Sequence, residues 1–410
     1  MEEWKEYRLG DVIEFKTGKL NSNAAISKGK YPFFTCSPEV LSINEYAFDQ
    51  KAILLAGNNA EGNFNIKYYE GKFNAYQRTY VINPTTENVD IKYLYYCLGL
   101  SLKSLKSISQ GTSTKFLTAT IINNLPSKLP SIRSQKQIIS ILSSLDNKIE
   151  LNRRINENLE QQAQALFKSW FVDFEPFKDG KFVDSELGRI PEGWKVGTFK
   201  DIIHSTLSGD WGKECKQGNH IQKVFCIRGA DIPNIKRGDK GNMPTRFIIE
   251  KNFQSKALMD GDMVIEVSGG SPTQATGRAC RISCGLLDKY NHSIVCTNFC
   301  RAIKPLSQYS SFLYYMWEMF YNQGIMFSYE NGTTGIKNLD INRLIQKEPI
   351  IIPPVEIALE FEKITQIYYE KIQSNGVESE KLSQLRDTLL PRLMSGELAI
   401  TDVDNRSIFQ

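Results

Sequence analysis

The segment "EGWKVGTFKDII", residues 192–203, repeats the start of the chain in its middle. Residues 2–13 read "EEWKEYRLGDVI", and the two segments share five of twelve residues without a gap. Trp194 follows Trp4 by 190 residues, whereas the proline-rich ends of the two copies lie 223 residues apart. The second copy is therefore about 33 residues longer, and the extra residues lie inside it. A period this long indicates two duplicated domains, not a solenoid of short repeats.

Each copy is followed by a long segment with helical periodicity, in which the contact positions step by four and three residues. This heptad pattern is typical of two helices that pack against each other, each roughly 50 Å long at 1.5 Å per residue. Two amphipathic helices that each pack on their own globular neighbour are the alternative. The predicted contact positions are Ile138, Leu142, Leu145, Ile149, Asn152, Asn156, Leu159, Ala163 and Leu166 in the first segment, and Ile357, Phe361, Ile364, Tyr368, Lys371, Asn375, Glu378, Leu382, Leu385 and Leu389 in the second.

The composition is that of a globular protein. With 410 residues and 41% apolar content, the chain is long enough for two or more packed domains. No apolar run approaches the roughly 18 residues that span a bilayer, and the charged N-terminus lacks the apolar segment of a signal peptide, so we expect a soluble, cytoplasmic protein without a membrane partner. Cys280, Cys284, Cys296 and Cys300 are predicted to be buried thiols on strands, because residues four apart in a strand lie about 13 Å from each other, too far to share a zinc ion.

Positive charge follows the repeat. Residues 1–130 carry 15 Lys and Arg against 12 Asp and Glu, and residues 191–350 carry 20 against 15. The intervening residues 131–190 balance at 9 against 9, and residues 351–410 carry 6 against 10. A solvated surface would explain either excess alone, but their coincidence with the repeat favours an anionic partner for both globular units.

Signatures of catalysis are absent from the sequence. The nearest approach to a phosphate-binding loop, "KTGKL" at 16–20, lacks the upstream glycine and the Ser or Thr after lysine. No N-P-P-[YF] motif for adenine methylation occurs, and three scattered histidines do not suggest a triad or a metal cluster. "DWGKECK" at 210–216 faintly resembles a nuclease core, so a nuclease in which Asp210, Glu214 and Lys216 hold a metal is the enzymatic alternative.

The long helical segments carry a resemblance to a known family. Residues 131–174, "SIRSQKQIISILSSLDNKIELNRRINENLEQQAQALFKSWFVDF", closely resemble the central region of the specificity subunits of type I restriction-modification systems. "LRDTLLPRLMSGEL" at 385–398 resembles the C-terminal helix of that family, and "GDMVIEVSGGSP" at 261–272 is its most familiar globular pattern. The Trp-Lys sequence at the start of each copy and the Gly-Thr sequence near its end also match that family.

The resemblance implies an α+β fold. Two globular α/β DNA target-recognition domains would be separated by two long antiparallel helices that form a coiled coil, with an internal pseudo-two-fold repeat. The expected segments are a first target-recognition domain at 1–130, a central helical spacer at 131–185, a second target-recognition domain at 186–350 and a C-terminal helical spacer at 351–410.

By the same resemblance, the chain is a noncatalytic DNA-specificity subunit. Each target-recognition domain would read half of a bipartite site in double-stranded DNA, and the helices would set the half-site separation. The expected partners are two methyltransferase (modification) subunits and the restriction/translocase subunits. No cofactor is expected in this chain, whereas S-adenosylmethionine, ATP and Mg are expected on the partner subunits. A related methyltransferase-nuclease system with the same architecture is an alternative, as is a scaffold without a nucleic-acid role.

Candidate DNA-binding residues come from polar loops punctuated by glycine. Asn and Gln pair naturally with adenine and Arg with guanine or phosphate, whereas Gly-Thr turns with a nearby Lys suit phosphate. The same Gly-Thr chemistry recurs in "GTSTK" at 111–115 and "GTTGIK" at 332–337. The predicted DNA-binding residues are Lys19, Asn58, Asn59, Asn63, Tyr76, Gln77, Arg78, Thr112, Ser113 and Lys115 in the first copy, and Arg228, Ser268, Ser271, Thr273, Gln274, Arg278, Asn298, Thr333, Thr334 and Lys337 in the second.

Overall fold

The chain divides into two compact units. A computed structural model describes residues 4–271, 274–332 and 337–398. The first unit comprises the residues up to Asn147 and those from Leu382 onward, and the second comprises Lys148–Lys381. Each unit therefore contains one copy of the repeat and part of both long helices. No helix in the described part of the chain has the length and hydropathy that spanning a bilayer requires.

The first unit is built around a six-stranded sheet in the order β2-β8-β5-β7-β3-β4. Its strands are β1 (Lys5–Arg8), β2 (Ile13–Thr17), β3 (Tyr31–Phe34), β4 (Leu41–Ile43), β5 (Phe48–Ala56), β6 (Asn58–Asn59), β7 (Ile66–Ala75), β8 (Thr79–Pro84), β9 (Lys115–Phe116) and β10 (Pro126–Leu129), and its helices are α1 (Ile91–Ile108), α2 (Ala119–Asn123) and the first part of α3 (Ile132–Phe171). The end of the central strand, Ala52–Ala56, is buried on both faces, as a continuous apolar run predicts.

The second unit repeats this strand order in two pieces. Its strands are β11 (Phe182–Ser185), β12 (Gly188–Pro191), β13 (Lys195–Thr198), β14 (Ile203–Ser208), β15 (His220–Ile227), β16 (Thr245–Ile249), β17 (Met263–Glu266), β18 (Ser268–Gly269), β19 (Ala279–Arg281), β20 (Ile294–Cys296), β21 (Cys300–Pro305), β22 (Glu330–Asn331), β23 (Lys337–Leu339) and β24 (Pro349–Ile352). Its helices are the second part of α3, α4 (Ile232–Lys236), α5 (Glu250–Lys256), α6 (Cys284–Lys289), α7 (Ser310–Asn322), α8 (Ile341–Lys347) and the first part of α9 (Val355–Ser395), whose end belongs to the first unit. The sheets run β14-β21-β17-β19 and β16-β15-β20.

The internal repeat predicted from the sequence is confirmed strand by strand. Lys5 pairs with Leu129 where β1 meets β10, and Lys195 pairs with Ile352 where β13 meets β24. The long strand β7 of the first unit corresponds in the second to β19 and β20, with α6 inserted between them. This insertion splits the six-stranded sheet in two. It accounts for some of the extra residues, and most of the others lie between β15 and β17.

The long helices pack against each other through polar residues inside the second unit. Asn156 of α3 donates from Nδ2 to the carbonyl of Ile372 in α9 at 3.2 Å, and Asn375 donates to Asn156 Oδ1 at 2.8 Å. Asn152, one turn earlier in α3, donates to Glu378 Oε2 at 2.8 Å. Because residues earlier in α3 contact residues later in α9, the two helices run antiparallel, as predicted.

Three predicted contact positions in the first half of α9, Ile364, Tyr368 and Lys371, are wrong by one residue, whereas Phe361 and Asn375 are buried as predicted. Thr365, Tyr369 and Ile372 are buried, whereas Lys371, a predicted contact position, is exposed. This part of α9 also packs against α7, since Thr365 Oγ1 donates to Ser311 Oγ at 2.8 Å. A helix with two packing partners buries a broader face than a heptad seam does.

One of the four cysteines predicted to be buried is exposed. Cys280, Cys296 and Cys300 are buried free thiols on strands, as predicted. Cys284 is instead the exposed first residue of α6, because Ser283 caps that helix by accepting from the backbone nitrogen of Leu286. The strand-like alternation of this segment therefore ends before Cys284.

Candidate nucleic-acid interface

A short strand pair forms the centre of the candidate surface in the first unit. Strand β6 continues from the buried β5 and pairs with β9, so that Asn58 lies opposite Phe116 and Asn59 opposite Lys115. The backbone nitrogen of Leu117 donates to the carbonyl of Gly57 at 2.8 Å, which extends the pairing. The loop that contains the predicted residues Thr112 and Ser113 is exposed and leads directly into β9. Residues more than fifty positions apart in the sequence are thus brought together.

The asparagines beside this strand pair have different tasks. Asn59 Oδ1 accepts from the backbone nitrogens of Glu61 at 2.9 Å and Asn63 at 3.0 Å, so its side chain shapes the loop. Asn63 Oδ1 accepts from Lys106 Nζ at 2.7 Å, which brings a cation from α1 to the surface. Lys106 was not predicted from the sequence, because nothing in its helical context distinguishes it from other exposed lysines.

The turn between β7 and β8 adds a second group of predicted residues. The backbone nitrogen of Gln77 donates to the carbonyl of Leu20 at 2.9 Å, which places the exposed Lys19 next to this turn. The carbonyl of Arg78 accepts from the backbone nitrogen of Gly57 at 2.8 Å, directly before β6. Tyr76 is half-buried, whereas Gln77 and Arg78 are exposed. The predicted residues of the first copy therefore share one surface.

The second unit contains the same strand pair. Strand β18 pairs with β23, so that Ser268 lies opposite Asn338 and Gly269 opposite Lys337. The backbone nitrogen of Leu339 donates to the carbonyl of Val267 at 2.8 Å, which matches the Leu117 bond of the first unit. Lys337 and Lys115 therefore hold corresponding positions after the Gly-Thr sequences of the two copies. The predicted residues Thr273, Thr333 and Thr334 lie outside the described residues.

The two corresponding lysines differ in their surroundings. Lys337 Nζ lies 2.8 Å from Glu330 Oε2, and Glu330 also accepts from the backbone nitrogen of Thr276 at 2.6 Å. Burial alone would raise the pKa of Glu330, but the hydrogen bonds from Lys337 and Thr276 hold that pKa below its ordinary value. In the described ranges Lys115 has no carboxylate partner, and its stem packs beside Gly62. The first unit thus presents a freer cation at this position.

Both arginines predicted in the second unit are already paired with carboxylates. Arg228 Nε lies 3.0 Å from the buried Asp231, and this hydrogen bond raises the pKa of Arg228. Arg278 forms a bidentate pair with the buried Glu266 at 2.7 and 2.8 Å, which raises the pKa of Arg278. Each guanidinium is thereby held in place and its charge is balanced, so a direct role of either one on DNA stays a prediction.

The remaining predicted residues of the second unit lie around these pairs. The backbone nitrogen of Ser271 donates to the carbonyl of Gln274 at 2.8 Å. Ser268 Oγ donates to Asn338 Oδ1 at 2.5 Å across the strand pair. Asn298 is exposed in the turn between β20 and β21, next to the exposed Phe299. The loops of the second copy therefore also meet at one surface.

Comparison with known proteins identifies the family. The family model described as "Type I restriction modification DNA specificity domain" matches residues 1–161. The type I restriction enzyme MjaIX specificity subunit of Methanocaldococcus jannaschii is 31% identical over 328 residues, which cover 77% of this chain and 71% of that protein. This chain belongs to the type I restriction enzyme specificity subunits.

Other specificity subunits agree with this assignment. The HindI specificity subunit of Haemophilus influenzae is 26% identical over 474 residues, covering 97% of this chain and 100% of that protein. The EcoDI specificity subunit of Escherichia coli is 36% identical, but the match spans only 49% of each chain. The crystal structure of a type I S subunit from M. genitalium covers 96% of both chains with a TM-score of 0.54 and 16% identity, and so shares the fold.

The residues of the alternative nuclease site have structural tasks in this specificity subunit. Asp210 accepts from the backbone nitrogen of Gly212 at 3.0 Å and from Asn252 at 2.7 Å. Glu214 lies 2.9 Å from Arg246, whose guanidinium stacks on the ring of Trp211 at 3.8 Å. Among the described residues, no group of three or more His, Cys, Asp or Glu side chains is placed to hold a metal ion. The nuclease alternative is not favoured.

Proposed function

We propose that this specificity subunit binds a bipartite site in double-stranded DNA and that each of its two units reads one half. The observation that carries the proposal is the recurrence of one surface in both units: a two-residue strand pair, a lysine after a Gly-Thr sequence and an exposed turn beside them. Surfaces of this kind combine the lysines that hold phosphate with the amide and arginine side chains that read base edges. Two such surfaces in one chain would read two half-sites.

We further propose that catalysis belongs to partner chains. Two modification subunits would carry S-adenosylmethionine, and restriction/translocase subunits would carry ATP and Mg, while this chain would hold no cofactor. Apolar side chains on the two long helices support docking of the modification subunits there, because Leu151, Leu359 and Ile367 are 50%, 41% and 65% exposed. Exposed apolar side chains on a helix surface suit a protein partner. The helices would also set the distance between the half-sites.

Replacing residues 186–350 with the corresponding segment of a related specificity subunit tests the two-reader proposal. We expect the methylated sites in cells that carry the complete system to change in one half only, because the first unit keeps all its loops. The reciprocal replacement of residues 1–130 should change only the other half. A replacement that altered both halves, or neither, would contradict the proposal.

The two lysines after the Gly-Thr turns should contribute unequally to DNA binding. Lys115→Ala is expected to reduce the slope of log K against log salt by about 1, as for loss of one phosphate contact. Lys337→Ala should reduce it by less, because Glu330 already balances that charge at 2.8 Å. Binding titrations of the complex across a salt series measure both slopes. Equal slopes for the two variants would contradict the assignment of Lys115 as the stronger phosphate contact.

A further inference from the structure

Two exposed turns occupy corresponding places in the two units. In the turn Tyr76–Thr79 the backbone nitrogen of the last residue donates to the carbonyl of the first at 2.8 Å, and in Thr297–Cys300 it does so at 2.9 Å. The carbonyl of the third residue, Arg78, accepts from the backbone nitrogen of Gly57 at 2.8 Å, and that of Phe299 accepts from the backbone nitrogen of Val267 at 2.9 Å. Gly57 and Val267 each directly precede the short strand pair of their unit. Gln77 therefore corresponds to Asn298, and Arg78 corresponds to Phe299.

The register of the flanking strands gives the same correspondence independently. Thr79 lies opposite Ala56 where β8 meets β5, and Cys300 lies opposite Glu266 where β21 meets β17. The turns thus start from equivalent strand ends and are followed by equivalent strands. The sequence conceals this equivalence, because "AYQRTY" at 75–80 and "CTNFC" at 296–300 share no residue at matching positions.

The third turn residue is available for contact in both units. Phe299 is 61% exposed, and Arg78 is also exposed. Within the part of the chain that the structure describes, the guanidinium of Arg78 has no hydrogen-bond or ion-pair partner, in contrast to Arg228 and Arg278. A lone exposed apolar side chain is ordinary on a protein surface. Phe299, however, follows Asn298 in a polar surface, and its carbonyl accepts from the backbone nitrogen of Ser268 at 3.2 Å.

We propose that this turn position sets specificity in both half-sites and reads a different base in each. Arg78 binds guanine in the half-site of the first unit, and Phe299 contacts the methyl group of thymine in the half-site of the second. This inference rests on the proposed DNA-reading function. Arginine matches the O6 and N7 acceptors of guanine, and the thymine methyl is the apolar group that a base edge offers in the major groove.

The presence of arginine at this position in one unit and of phenylalanine in the other also argues against a phosphate contact. A position that contacts phosphate needs a hydrogen-bond donor or a cation in both units, and the side chain of Phe299 offers neither. The preceding residues, Gln77 and Asn298, are both amides, so the chemical difference between the two turns lies at the third residue. That residue is therefore the place where the two half-sites should differ.

Exchanging the two side chains tests the inference. The variants are Phe299→Arg and Arg78→Phe, each as the full chain purified with its co-expressed partner subunits and selected on a library of randomised double-stranded DNA. We expect Phe299→Arg to change one base pair of one half-site from thymine to guanine, and Arg78→Phe to make the reverse change in the other half-site. Discrimination against the original base should shift roughly 5- to 150-fold, as for one bidentate base contact.

Met259→Arg is the matched control. Met259 is also 61% exposed, but it lies before β17, at the end opposite the turn. Met259→Arg should leave the base preferences of both half-sites unchanged, although it adds the same charge to the same unit as Phe299→Arg does. Thermal unfolding of all three variants should match that of the unsubstituted chain, because the replaced side chains are exposed.

The outcomes separate the inference from the function on which it rests. If the unsubstituted complex selects no bipartite sequence, the proposed function itself fails. If it selects one and the exchanged variants keep its base preferences, only the turn inference is overturned. Weaker binding of Arg78→Phe to all sequences alike, with a reduced salt slope, would identify a phosphate contact and would also overturn it.

Discussion

Replacing Glu362 with alanine is expected to destabilise the second unit by about 3–5 kcal/mol, because it leaves a buried guanidinium without its charged partner. Arg281 is 4% exposed at its side chain, and its Nη2 lies 2.6 Å from Glu362 Oε1. The other carboxylate oxygen accepts from the backbone nitrogen of Ser311 at 2.7 Å. That nitrogen belongs to the first turn of α7, where helix amides lack an intrahelical partner. The variant therefore removes two interactions at once.

Denaturant unfolding followed by tryptophan fluorescence measures this loss, since Trp194 and Trp317 lie in the core of the second unit. Glu70→Ala is the matched control, because the pair of Glu70 with Lys51 is more than half exposed on both sides and should contribute less than about 1 kcal/mol. The double variant Arg281→Met with Glu362→Leu should recover most of the stability, since apolar pairs often replace buried ion pairs without loss. A loss below that of the control would contradict the prediction.

The internal repeat could be predicted from the sequence because it leaves local signals. Tryptophan and lysine recur at the start of each copy, and glycine and threonine recur near each end. Heptad spacing likewise identified both long helices, since a helix face is encoded within a few consecutive turns. The heptad spacing gave a wrong contact position at Lys371, in the part of α9 that also packs against α7. The position of α7 is not encoded in the periodicity of α9.

The candidate surface was harder to predict because distant segments build it. Strand pairs of two residues, such as Asn58–Asn59 with Lys115–Phe116, leave no periodic pattern. Phe299 was missed because an apolar residue in a strand-like segment is normally expected to be buried. The carboxylate partners of the two arginines were missed as well. Asp231 lies only three residues after Arg228 and could have been suspected, whereas Glu266 reaches Arg278 only through the fold.

Gly376 in α9 is expected to tolerate no side chain, because the backbone of another segment passes directly over it. A Cβ atom at Gly376 would lie 2.0 Å from the carbonyl oxygen of Gly238 and 2.6 Å from its carbon. Gly238 itself has a φ of +87°, a backbone conformation that favours glycine. The loop cannot easily withdraw, since Asn156 donates to the carbonyl of Arg237 at 2.8 Å and Lys289 Nζ donates to that of Gly238 at 2.9 Å.

We therefore predict that Gly376→Ala destabilises the second unit by about 3–4 kcal/mol, at or above the upper end of the range for overpacked sites. The matched control is Gly99→Ala in α1, where a Cβ atom meets nothing within 4 Å. Alanine should stabilise that helix by about 0.5–1 kcal/mol, because glycine is the poorer helix former. The same substitution in two helices thus has opposite expected effects on the free energy of unfolding.

In DNA selection, Gly376→Ala should weaken only the preference for the half-site of the second unit, because the Gly238 loop belongs to that unit. Free energies of unfolding within 0.5 kcal/mol of each other for the two variants, roughly the scatter of neutral surface changes, would contradict the proposed backbone contact.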